Sequence, residues 1–144
     1  MWKADRHQFM GTTLLIGSCE PFSGKSALVL GIAQQLIQSG LPIRFGKPLA
    51  TSLDWDPDKG PLPQPLIDDD VRFVGDTLGL SSDRLISSLH LLSPTTATLR
   101  LGQGQLNPGE GFDQLRQQVA NDPGLTLLEC AGSLQEGLLY GLRL

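Results

Sequence analysis

Apolar residues in this chain gather into short β-prone runs separated by stretches of helical spacing. Residues 12–17, Thr-Thr-Leu-Leu-Ile-Gly, are apolar without alternation, the pattern of a strand buried on both faces. Residues 18–23 are turn-like, punctuated by Gly17 and Pro21. From residue 24 to about 39, Ala27, Leu28, Leu30, Ile32, Leu36 and Ile37 recur at helical spacing, and Gly40 supplies a stop. Residues 42–46, Pro-Ile-Arg-Phe-Gly, read as a second strand. Together these pieces make a strand–loop–helix–strand unit, the size of a parallel crossover of roughly 30 or more residues.

The rest of the chain is less regular. Residues 47–65 carry five prolines and read as an irregular excursion. Residues 66–78 are expected to be helical and to end at Gly79. Residues 82–101 fit no single period, because Leu85, Ile86, Leu89, Leu91 and Leu92 suit neither template well. Residues 102–111 read as loop and 112–120 as helix, closed by Asn121-Asp122-Pro123-Gly124. Residues 125–129, Leu-Thr-Leu-Leu-Glu, form the third clear strand, and no internal repeat is visible. The expected fold is α/β, three-layered and of the P-loop NTPase type, with a mostly parallel sheet. An N-terminal extension (1–11) precedes one domain (12–144).

Composition narrows the function. A length of 144 residues suits one domain, and an apolar content of 40% can build a core. The net charge of −4, with eleven scattered Lys and Arg, argues against nucleic acid as a partner, since phosphate backbones demand a basic footprint. Two cysteines, Cys19 and Cys130, make neither a disulfide framework nor a metal-type spacing. The apolar run 14–16 is far too short for a signal or a membrane span, so a reducing cytoplasm is the expected compartment, without membrane partners.

The chemistry concentrates where the first strand meets the first helix, at Ser23-Gly24-Lys25-Ser26. A phosphate needs converging N–H donors, and a helix N-terminus provides them with a favourable dipole. Lys25 is placed to reach the terminal phosphates and the Ser26 hydroxyl to ligate Mg²⁺. The segment Glu20-Pro21-Phe22-Ser23-Gly24-Lys25-Ser26-Ala27 is the expected cofactor-binding stretch. Cys19 stands where the usual pattern has a glycine, with Gly17 two residues earlier. Glu20 is unusual beside phosphates and faces either a second ligand or solvent.

Three further stations lie at strand ends or a helix start. Lys47 follows the second strand, at the edge where parallel sheets bind ligands; it faces either the phosphates or a carboxylate, or it is a solvated turn lysine. Glu129, at the tip of the third strand, is a candidate Mg²⁺ ligand, directly or through water. Asp68-Asp69-Asp70 opens a helix, where acidic residues serve as caps; Asp70 is the candidate among them for a metal role. Asp54-Trp55-Asp56-Pro57-Asp58 only superficially resembles a calcium loop, because Lys59 and Pro65 occupy its glycine and glutamate positions.

The string from Leu15 to Ala27 resembles the phosphate loop of the dethiobiotin-synthetase-like domain, which precedes the catalytic part of some phosphotransacetylases. Phe45-Gly46-Lys47-Pro48, the aspartates 68–70 and Leu128-Glu129-Cys130-Ala131-Gly132 agree in order, so the resemblance spans about 13–142. It implies ATP and Mg²⁺ as cofactors. It further implies Lys25 and Lys47 as catalytic residues, with Ser26, Asp70 and Glu129 around the metal. Glu20 replaces the family's loop aspartate, and Cys130 and Ser133 replace glycines of its Glu-Gly-Ala-Gly-Gly pattern.

The resulting expectation is a Mg²⁺-ATP-binding sensor module regulating an attached or partner acyltransferase domain. The alternatives are an ATP-dependent ligase for a small carboxylate or amine, and a scaffold that has lost nucleotide binding. Only three clear strands precede Leu144, and residues 134–144 are apolar. The expectation is therefore an incomplete domain, a fragment of a longer chain or a homo-oligomer completed by a partner.

Overall fold

A computed structural model describes residues 12–18, 24–106, 108–120 and 124–130. In chain order it contains β1 (Thr12–Ile16), α1 (Lys25–Gln38), β2 (Ile43–Gly46), β3 (Leu49–Ala50), α2 (Asp69–Leu78), β4 (Leu85–Ile86), β5 (His90–Leu91), α3 (Pro94–Gly102), α4 (Pro108–Val119) and β6 (Leu125–Glu129). Short 3₁₀ turns at Pro57–Lys59 and Ser82–Arg84 lie within the connections.

The main sheet runs β1-β6-β2-β4, and all of its pairings are parallel. The fold is thus α/β with a four-stranded parallel sheet. Register is set by runs of Leu, Ile and Phe that must be covered on both sides. Ile16 sits opposite Glu129, and Gly46 opposite Leu128, so three strands end nearly level at one edge. Helices cover both faces. On one, Val29, Ala33, Val71 and Val74 of α1 and α2 pack with Ile16, Ile43, Phe45 and Leu127. On the other, Leu115 and Val119 of α4 pack with Ile86 and Leu128.

Helix ends follow their sequence signals. Gly40 takes φ 81° and Leu41 N–H bonds back to Leu36 O at 3.0 Å, closing α1 with a left-handed glycine. Asp68 caps α2 by accepting from the Asp70 N–H, and Gly79 closes it at φ 66°. Gly46 permits a close approach that no side chain would allow: a Cβ there would stand 2.6 Å from Ile86 Cβ.

Several expectations are corrected. The second helix starts at Asp69 rather than 66, because Leu66 and Ile67 are core residues ahead of the Asp68 cap. The stretch 82–101 divides into β4, β5 and most of α3, each too short to show a period. The supposed loop 102–111 is half helix, since α4 begins at Pro108, a residue compatible with the first turn. The excursion after β2 is also partly ordered: β3 pairs with β5 in a separate two-stranded parallel sheet, and Leu49 and Ala97 anchor a small cluster beneath α3. Among the described residues there are six strands where three were expected. Among the described residues, no helix is long and apolar enough to cross a membrane.

Candidate functional site

The site is built at the level edge of the sheet. Cys130 N–H bonds to Ile16 O at 2.9 Å, extending the β1–β6 pairing one residue past the strands. Glu129 is thereby held alongside the chain that leaves β1 for α1. Its side chain is buried, and the Ser26 hydroxyl donates to its Oε1 at 2.8 Å across 103 residues of sequence. Glu129 Oε2 is also buried and accepts no hydrogen bond among the described residues. Burial therefore lifts the Glu129 carboxyl above the ordinary glutamate range. The Ser26 bond and the charges of Lys47 and Lys25 oppose that rise, while the Asp70 charge adds to it.

Helix α1 starts without a side-chain cap and without acidic residues in its first turn. A helix start of that kind, with its leading N–H groups and positive dipole end, suits an anionic acceptor. Gly24 takes φ 82° with open space around it, so backbone conformation rather than crowding calls for glycine. Lys25 is buried, and its ammonium donates to Ser18 Oγ at 3.1 Å, reaching back toward the end of β1. Ser26 and Ala27 are exposed beside it. Glu20, Pro21, Phe22 and Ser23, expected to line the phosphates, lie outside the described residues, as does Cys19. Cys130 is buried.

Lys47, one residue past Gly46, is level with Glu129 on the neighbouring strand. It is buried, and its ammonium donates to Thr51 Oγ1 at 3.0 Å, Asp68 Oδ1 at 3.3 Å and Asp70 Oδ2 at 2.7 Å. Desolvation pulls its pKa down, but the Asp70 bond and the charges of Asp68 and Asp70 prevail, leaving it above that of an ordinary lysine. The turn-lysine alternative is excluded. The buried Ser88 hydroxyl donates to the Lys47 carbonyl, fixing the backbone from below.

Sequence reasoning missed Asp68 as the organiser of this half. It is fully buried; its Oδ2 accepts from Thr51 N–H at 2.8 Å and Ser52 N–H at 3.1 Å, and its Oδ1 from Asp70 N–H at 2.9 Å. The available signal was an aspartate between two apolar residues, Ile67 and Val71, both core. Asp69 instead faces outward and ties down Ser52 Oγ and Asp54 N–H.

The structure therefore brings Ser26 and Glu129 into contact, and Lys47 and Asp70 into contact, with Glu129 and Lys47 at the ends of adjacent strands. Among the described residues, no group of three or more His, Cys, Asp or Glu side chains could hold a metal ion. Mg²⁺ is commonly held by one or two carboxylates together with substrate phosphates and water, rather than by an all-protein cage. An unpartnered buried Glu129 oxygen beside a serine hydroxyl fits that mode. Compared with protein-family models and with curated proteins, the chain matches none.

Proposed function

We propose that this chain is a dethiobiotin-synthetase-like P-loop domain that binds Mg²⁺-ATP and senses nucleotide on behalf of an attached or partner protein. The observation that carries the reading is the Ser26–Glu129 hydrogen bond at the mouth of an uncapped helix. In this reading the N–H groups opening α1 and the Lys25 ammonium take the phosphates. Ser26 and Glu129 hold Mg²⁺, which neutralises phosphate charge and satisfies the second Glu129 oxygen. Asp70 supplies a further carboxylate near the same edge, and Lys47 adds positive charge.

The buried Lys47, abreast of Glu129, favours a second reading, an ATP-dependent ligase for a small carboxylate or amine. Calorimetric titration with ATP, in Mg²⁺ and again in EDTA, tests the binding common to both. Mg²⁺-dependent binding is the expected result, and absence of binding in Mg²⁺ removes both readings. ADP release that depends on an added carboxylate or amine would favour the ligase.

A further inference from the structure

Lys47 has three ammonium hydrogens and three acceptors, so its bonding is saturated. The two carboxylates around it are not equivalent. Asp68 is wholly buried and also receives three backbone N–H groups, from Thr51, Ser52 and Asp70. Withdrawing it would orphan all of them. The Asp70 side chain is 51% exposed, and among the described residues its carboxylate is bonded only to Lys47. An ion pair open to water is weakly held. Register places Lys47 level with Glu129 on the adjacent strand, so this loosely held carboxylate lies at the edge where the metal carboxylate ends β6.

We infer that Asp70 is shared between two cations: Lys47 holds it while the site is empty, and Mg²⁺-ATP takes it when the site fills. Nucleotide loading then leaves Lys47 anchored by Asp68 and Thr51 with one N–H free. The inference rests on the Mg²⁺-ATP reading and adds a rule to it: the lysine is disengaged until nucleotide and metal are both present. By reciprocity, whatever strengthens the Lys47–Asp70 pair must weaken metal-dependent nucleotide binding by the same factor.

The test is a double-mutant cycle on the gain in ATP affinity that Mg²⁺ gives over EDTA, read by calorimetry. Asp70→Asn is expected to cut that gain roughly five- to tenfold. Lys47→Met is expected to raise it several-fold in the wild-type background and not at all in the Asp70→Asn background. A rise that persists with Asp70→Asn would reflect lost charge alone and overturns the exchange. An unchanged gain in Asp70→Asn also overturns it, while leaving the Mg²⁺-ATP reading in place. No binding by the unmodified chain overturns the reading itself.

Lys47→Met strips a buried carboxylate of its cation and risks unfolding, so a second measurement uses the native side chains. In chain carrying ¹⁵N-lysine, the Lys47 ammonium signal should move with Mg²⁺ plus a non-hydrolysable ATP analogue, and also differ in Asp70→Asn without ligand. A signal indifferent to the loaded nucleotide overturns the exchange.

Discussion

Glu129 carries its charge where burial penalises it, and the sign of that penalty has consequences. Its folded pKa lies above the unfolded value, so the folded chain binds the proton more tightly. The stability this group contributes is complete below the unfolded glutamate range and is lost as pH rises through the folded pKa. At neutral pH the carboxylate is a liability that Mg²⁺ would relieve. Glu129→Gln is therefore expected to unfold at a higher denaturant midpoint than wild type at neutral pH, with the difference shrinking as pH falls through the glutamate titration. The same substitution should abolish the Mg²⁺ dependence of ATP binding while sparing binding in EDTA. Paired denaturation curves and titrations check both, and an equal gap at both pH values would contradict the linkage. Lys25 gives the complementary case. Charge-assisted bonds are worth about 1.5–3 kcal/mol each, so Lys25→Ala should weaken Mg²⁺-ATP binding about tenfold or more. The far-ultraviolet dichroism of the variant should stay native.

At the scale of elements, the N-terminus of α2 separates a structural aspartate from its neighbours. Removing one partner of a buried ion pair costs about 3–5 kcal/mol, and Asp68 is buried against Lys47 while serving three backbone donors. Asp68→Ala should lower stability by about that amount; Asp69→Ala, whose bonds are exposed, should cost about 1 kcal/mol. Urea unfolding of the two variants decides it, and equal losses would refute Asp68's role as organiser. The same contrast shows what the sequence could reveal. Elements β1, β2, β6 and α1 were legible because each holds enough apolar residues at one period, with glycine stops where the helix ends. Elements β4 and β5 were not, since two residues carry no period and their pairing is decided by distant strands. Helix α4 hid its start behind Pro108, Gly109 and Gly111, residues whose local preference is for turns. At the site, Lys25, Ser26, Lys47, Asp70 and Glu129 announced themselves by motif or by position at a strand end. Ser18, Thr51, Asp68 and Ser88 did not, because each takes its role from a partner outside its own motif, up to 41 residues away.

For the whole molecule, β1 is an outer strand of the four-stranded sheet, and its Thr12, Thr13 and Leu14 are exposed among the described residues. An open strand edge with apolar neighbours invites association. The 144-residue chain is expected to self-associate or to be marginally stable, and sedimentation equilibrium tests this; a cooperatively unfolding monomer at tens of micromolar would refute it. The contact between Ser26 and Glu129 has a different kind of consequence, one of timing. The two halves of that bond are 103 residues apart, and at synthesis rates of about 5–20 residues per second the second half follows the first by roughly 5–20 s. Throughout that interval the lysine and serine have been made and the glutamate has not. Only after β6 slots between β1 and β2 do the two meet. If the Mg²⁺-ATP reading holds, metal-dependent nucleotide capture would then report that β6 has docked.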